Sequence, residues 1–424
     1  MKLIKKITQT QLFKISTLNS LSVIIKIGVG LVTSKLLAIF VGPAGMALVG
    51  NFKNFSSSLE SISTLGFQTG IVKYVAENKE DKAHLNKLFS TVFLILLGVA
   101  LLLSGFLFFS ASYWNSKIFG DNYDYEVVFK VAGAALPWYV ISIFWISVIN
   151  GLGLFKKVIW ITILGNVLGL LVSLVLILNY ATLGALLAIV TTPALMFFVT
   201  SYFINKEIPF FSTIRYQSYD FKIVINLSSY TLMALVSSVL GPIVYIAIRN
   251  NVIKEIGIDE AGFWETITRI SSYYMMFSST ILTVYFFPKL ANAKNNLETK
   301  KVFWSYYKSI LPLFIIGLLS IYFLRVFIIE LLFTKEFLPV TSLFFWQLIG
   351  DVFKVAFLIL GFQFLAKKLT LAFIFSEITS LAVLYFASNY LITVFGIQGI
   401  VMAQALDNLI YLLVLVIYFR KSLF

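Results

Sequence analysis

The 424-residue chain contains no cysteine, which excludes disulfides and thiolate metal sites. Its one histidine, His84, falls in a charged loop and reads as a solvated surface residue. Charge is scarce: Asp, Glu, Lys and Arg make up 12% of the residues, against about 25% in a soluble domain. Acid is scarcer still, with 19 Asp and Glu against 33 Lys and Arg, for a net charge of +14. There is no HExxH and no GxSxG. Gly151-Leu152-Gly153 before Lys156 lacks the remaining Walker A residues, and the loops are too short to hold an ATP-binding domain. No alternation of apolar and polar residues runs through the chain, so a membrane β-barrel is excluded. The pattern calls for no catalytic residue, no cofactor, no resident metal and no nucleic-acid partner. The N-terminus is short and basic, with Lys2, Lys5 and Lys6. The apolar segment after it is too long for a signal-peptide core, so the first span is expected to be its own insertion signal.

What is abundant is apolar surface: 59% of the residues are hydrophobic. Residues 88–111 and 158–205 carry no charge at all, with a turn expected at Asn179 in the longer run. A spanning helix needs about 20 apolar residues. On that measure the chain is an all-α polytopic membrane protein of twelve transmembrane helices. They cover residues 12–40, 46–74, 88–112, 127–150, 158–178 and 182–204, then 222–248, 261–288, 302–330, 340–365, 371–392 and 397–419. The widest polar gap divides them into an N-terminal six-helix bundle (1–204), a cytoplasmic linker (205–221) and a C-terminal six-helix bundle (222–424). The 42 Phe and 21 Tyr are expected mostly at lipid-facing and interfacial positions.

Lys and Arg set the orientation. Alternate loops hold Lys2, Lys5, Lys6, Lys14, Lys79, Lys82, Lys87, Lys156, Lys157, Lys206, Arg215, Lys222, Lys289, Lys294, Lys300, Lys301, Lys367, Lys368, Arg420 and Lys421. The opposite loops hold only Lys117, Arg249, Lys254 and Lys335. Both termini are therefore expected in the cytoplasm. The halves also read as weak repeats. Pro43-Ala44-Gly45 matches Glu260-Ala261-Gly262, Lys53 matches Arg269, and Val72-Lys73-Tyr74 matches Pro288-Lys289-Leu290. Two halves of the same orientation form a parallel repeat, with a substrate site expected where they meet.

The charges at membrane depth carry the functional argument. A bare cation there costs about 2.5–3.5 kcal/mol on insertion scales. Lys26, Lys35, Lys53, Arg269 and Lys354 occupy such positions, with Glu60, Glu265, Asp351, Glu377 and Asp407 as the buried acids. Glu265 with Arg269, and Asp351 with Lys354, are spaced to pair on their own helices. The N-terminal half stays unbalanced, with three lysines against Glu60. That excess points to an anionic substrate. Lys26 and Lys35 lie nine residues apart, on opposite sides of a straight helix. A kink at Gly28 and Gly30 would bring them round, and Gly241-Pro242 interrupts the corresponding helix of the other half. Glu60 and Asp351 are the candidate sites for a coupling ion. Gly165 and Gly169 form a GxxxG pair, read as close helix packing.

Several stretches resemble the Wzx-type flippases of lipid-linked oligosaccharides, the lipid III and O-antigen flippase family. They are Ile25-Lys26-Ile27-Gly28, Lys35-Leu36-Leu37-Ala38, Gly42-Pro43-Ala44-Gly45, Asn51-Phe52-Lys53 and Lys73-Tyr74-Val75-Ala76. Further stretches are Tyr230-Thr231-Leu232-Met233-Ala234-Leu235 and Phe345-Trp346-Gln347-Leu348-Ile349-Gly350-Asp351-Val352-Phe353-Lys354-Val355. The resemblance implies the multidrug/oligosaccharidyl-lipid/polysaccharide fold, with two six-helix bundles around a central cationic cavity. It implies transfer of an undecaprenyl-pyrophosphate-linked glycan across the bacterial inner membrane to the periplasmic leaflet. The family's cavity positions correspond to Lys26, Lys35, Lys53, Asp351 and Lys354. Glycosyltransferases and a glycan polymerase are the implied pathway partners, and membrane lipid surrounds the chain. The alternative is an ion-coupled exporter of another anionic lipid or small molecule. A cation-drug antiporter would need an acid-dominated cavity. A membrane glycosyltransferase or polymerase would need catalytic acids or a large outer loop.

Overall fold

The computed structural model describes residues 11–208, 214 and 219–424. Lys2, Lys5, Lys6 and Arg215 of the basic loop set lie outside them. Among the described residues every regular element is helical, as a bilayer requires of a chain that is not a closed barrel: lipid offers backbone N–H and C=O groups no partner. Among the described residues nine helices are long and apolar enough to cross a membrane, so the protein is a multi-pass membrane protein.

The first elements are α1 (Gln11–Phe40), α2 (Gly42–Ser63), α3 (Gln68–Glu77), α4 (Lys82–Phe109), α5 (Ala111–Phe119), α6 (Glu126–Gly151) and α7 (Phe155–Asn205). After the partly described 205–221 segment come α8 (Phe221–Leu235), α9 (Gly241–Glu255), α10 (Ile258–Ile281), α11 (Phe287–Asn292), α12 (Asn296–Phe323), α13 (Arg325–Leu332), α14 (Phe344–Ala366), α15 (Thr370–Phe395) and α16 (Ile397–Tyr418). α2 and α10 are not among the nine apolar spans. They carry Lys53 and Glu60, and Glu265 and Arg269, whose charges lower their hydropathy.

The chain divides into two compact units. Unit one comprises Met1–Leu36 and Phe52–Val239, and unit two Leu37–Asn51 and Leu240–Phe424. This division exchanges two segments relative to the bundle boundaries expected at 204 and 222. Leu37–Asn51 belongs with unit two, and α8 packs on α3 and α4 within unit one.

α7 breaks at Ala181, two residues beyond Asn179, where the backbone turns through φ 47°, ψ −119°. Gly184 lets the turn close: a Cβ there would lie 1.9 Å from the Leu176 carbonyl oxygen. The α15–α16 turn repeats this geometry. Gly396 takes φ 57°, ψ −138°, and a Cβ on Gly399 would lie 2.1 Å from the Leu391 carbonyl oxygen. Leu176, Ala181 and Gly184 correspond to Leu391, Gly396 and Gly399 at one constant spacing, close to the offset of the repeat read from the sequence.

α1 is helical throughout Gln11–Phe40, with Gly28 and Gly30 inside it. In lipid a helix keeps its hydrogen bonds even where glycine weakens it. At Gly241-Pro242 the interruption is present, as a π-helical turn over Val236–Leu240. A second π-turn, Leu282–Phe286, precedes Pro288. Proline has no N–H to donate, and the wider turn absorbs the mismatch. Gly165 and Gly169 pack against Met196 and Thr192 across the α7 hairpin. The aromatics are not all peripheral: Phe52, Phe55, Phe119 and Phe129 form a buried cluster in unit one, with Trp114 against Phe55.

Candidate functional site

That cluster orients Lys53. Phe52 and Phe55, one helical turn apart on α2, are buried against α5 and α6. Lys53 therefore emerges on the other side of the helix, where it is exposed. Lys26, near the middle of α1, is also exposed and has no ion-pair or hydrogen-bond partner among the described residues. Lys35 is half-buried on the same helix. Unit one thus presents lysines at spanning-helix depth, with Glu60 half-buried a further two turns along α2 from Lys53. The Tyr139 hydroxyl of α6 lies beside Glu60.

Unit two holds its charges differently. Arg249, counted above among the outer loop cations, is 1% exposed inside α9. Its Nη2 donates to Glu265 Oε2 at 2.7 Å and its Nη1 to Asn51 Oδ1 at 3.2 Å. The Asn51 amide donates in turn to Asn250 Oδ1 at 2.8 Å, and the guanidinium lies 5.0 Å from the centre of the Trp264 ring. The expected pairing of Arg269 with Glu265 is present at 3.6 Å, but Glu265 shares itself with Arg249. Two guanidiniums and one carboxylate leave a net positive charge, and Arg269 Nε is buried without a hydrogen-bond partner. The contact with Asn51 requires Gly50: a Cβ there would fall 2.5 Å from Glu265 Oε2. Residues close in sequence could not reveal this pairing, because the carboxylate sits on the next helix. The only local signal was the polar run Arg249-Asn250-Asn251 inside an otherwise apolar segment.

The spacing of Asp351 and Lys354 permits an ion pair, and the structure does not form one. Asp351, 1% exposed on α14, accepts from three neutral donors. They are Ser271 Oγ at 2.7 Å, Gln347 Nε2 at 3.2 Å and the Tyr274 hydroxyl in a very short contact. Hydroxyls from α10 outcompete the lysine because they reach the short Asp side chain directly. Lys354 is half-buried and lies within electrostatic range of Asp351, Glu377 and Asp407. Asp407 also accepts from Ser380 Oγ at 2.8 Å. Three carboxyl groups around one ammonium weaken Lys354 as an anion attractor. Lys130 pairs with Glu126 at 2.7 Å, and Arg325 donates to the Tyr322 carbonyl at 2.8 Å, so both are held locally.

The model of the polysaccharide biosynthesis protein family matches residues 12–294. The chain is 29% identical over 408 residues to the lipid III flippase of Escherichia coli (strain K12), covering 94% of this chain and 96% of that one. The lipid III flippase of Shigella flexneri gives the same figures. Among solved structures, an inward-facing multidrug resistance MATE family transporter of the MOP superfamily aligns with a TM-score of 0.71 at 14% identity, over 95% of this chain and 98% of that one. The lipid II flippase MurJ, in an inward closed conformation, aligns with a TM-score of 0.70 at 15% identity, over 96% and 87%. At such identities the likeness is one of fold alone, an all-helical one. With the family model covering more than half of its residues, the chain belongs to the polysaccharide biosynthesis protein family.

Proposed function

We propose that the protein is a flippase in the bacterial inner membrane, with both termini cytoplasmic and twelve spanning helices. It moves an undecaprenyl-pyrophosphate-linked oligosaccharide, an O-antigen unit or a lipid III-like molecule, from the cytoplasmic to the periplasmic leaflet. The observation that carries this reading is Lys26: an exposed ammonium at the centre of a spanning helix, with no partner among the described residues. Such a charge is too costly to leave facing lipid. A pyrophosphate carries at least two negative charges, and each attraction at 4 Å is worth about 4 kcal/mol where the effective dielectric is near 20. Lysine acts on phosphate as a point charge. Lys26, Lys35 and Lys53 receive the headgroup, while the prenyl chain stays in lipid. Within unit two the basic candidates are Arg269 and Lys354, Arg269 the stronger because its triad keeps a net positive charge. No bond is made or broken. Glycosyltransferases build the substrate beforehand, and a polymerase consumes it afterwards. Glu60 and Asp351 are the candidates for the ion that resets the cycle.

The test is export in a host lacking its own flippase. Lys26→Ala and Lys53→Ala should abolish surface glycan while the protein accumulates normally. Normal export by both variants at matched protein level would overturn the reading.

A further inference from the structure

We propose that Glu60, Ser56 and Tyr139 form a binding site for one small monovalent cation of the sodium class, inside unit one. This deepens the coupling role given to Glu60 above, and rests on it only for the site's use in transport.

The three side chains line a pocket between α2, α6 and α7, together with Ile189, Pro193 and an otherwise aliphatic wall. Its free space is about 30 Å³, room for a couple of water-sized particles at ~10–15 Å³ each. Ser56 and Glu60 are one turn apart on the same face of α2. The Ser56 hydroxyl is buried and has no hydrogen-bond partner. The Tyr139 hydroxyl lies beside Glu60 on the same pocket and has oxygen lone pairs to offer. Pro193 leaves a fourth oxygen, the Ile189 carbonyl, without its helical donor. It lies inside α7 and has no N–H to return to the Ile189 carbonyl, four residues earlier on the pocket wall.

The pocket's chemistry is therefore oxygen throughout. No basic side chain and no side-chain amide lines it, so an anion has nothing to bind. A carboxylate in an aliphatic wall is costly without a counter-charge. A proton would relieve Glu60 and leave Ser56 unsatisfied. A hard cation uses all four oxygens at once. One carboxylate balances one charge, which argues against a divalent ion. Helices α2, α6 and α7 all contribute oxygens, so occupancy would hold them together near Lys53.

The test is equilibrium binding of radiolabelled sodium to the full chain purified in detergent, at alkaline pH and with choline as the background ion. Saturable binding to one site is expected, displaced by lithium more readily than by potassium. Glu60→Gln should abolish it. Ser56→Ala, which keeps the charge and guards against a misfolded Gln variant, should weaken it on the order of tenfold, the equivalent of one lost contact to an ion. No saturable binding by the unmodified protein would overturn the proposal, as would unchanged binding in either variant. Proton uptake by Glu60 without sodium binding would overturn it too. Sodium binding of the expected kind, with no glycan flipping in vesicles, would leave the site standing and count against the flippase reading alone.

Discussion

Replacing Arg249 with methionine should be among the most destabilising single changes in this protein. Methionine keeps much of the length and removes the charge. Glu265 then loses its partner at 2.7 Å, Asn51 Oδ1 its donor at 3.2 Å, and Trp264 the cation over its ring. Orphaning one member of a buried ion pair costs about 3–5 kcal/mol. Arg269 still stands 3.6 Å from Glu265, so the lower end applies, about 3 kcal/mol. A neutral hydrogen bond between membrane helices would be worth only ~0.6 kcal/mol, because the unfolded chain in lipid finds other partners. The ion pair should exceed that because a carboxylate in the interior finds none. The assay is unfolding of the purified protein in mixed micelles as the denaturing detergent fraction rises. Lys254→Met is the comparison: its side chain is 81% exposed and its neighbour Glu255 lies 3.7 Å away, so a surface-pair cost of about 0–1 kcal/mol applies. The double variant Arg249→Met/Glu265→Gln should fall short of the sum of the singles, since it removes the orphaned charge. A shift for Arg249→Met of less than ~0.5 kcal/mol, the size of an ordinary surface change, would refute the reasoning.

Gly50→Ala should destabilise by about 1–3 kcal/mol in the same assay, since its methyl would press on Glu265 and Arg249 in the packed interior of unit two. Ala181→Gly should raise the melting temperature, with a gain of ~1 kcal/mol, because alanine there holds a backbone conformation that glycine holds at Gly396. Lys53→Arg should retain most glycan export and Lys53→Gln should lose it; equal export by the two would show that size, not charge, matters at this position. Asp351→Asn should weaken the Ser271 and Tyr274 hydrogen bonds, from charge-assisted to neutral strength, and lower stability by about 1 kcal/mol in the unfolding assay.

The two units handle charge in opposite ways. Unit two closes its cations around carboxylates: Arg249 and Arg269 around Glu265, and Lys354 within range of Asp351, Glu377 and Asp407. Unit one leaves Lys26 exposed and keeps Glu60 with a tyrosine in place of a cation.

Composition and hydropathy alone determined that this is a multi-pass helical membrane protein, because a bilayer admits only structures that satisfy their own backbone. The two turns, which the sequence reading did not connect, recur because Leu176, Ala181 and Gly184 meet the same geometric need as Leu391, Gly396 and Gly399. The cations at depth were legible because a charge in an apolar run stands out without any knowledge of its neighbours. Their partners were not. Arg249 finds Glu265 on the next helix and Asn51 almost two hundred residues away, Asp351 prefers hydroxyls of α10 to the lysine one turn along, and Glu60 meets Tyr139 on another helix. Spacing along one helix sets which pairs are within reach, but the stronger partner comes from whichever helix packs against it. Only the tertiary structure decides that, because helices in lipid are brought together by packing and polar contact over their whole length, not by any short stretch of sequence.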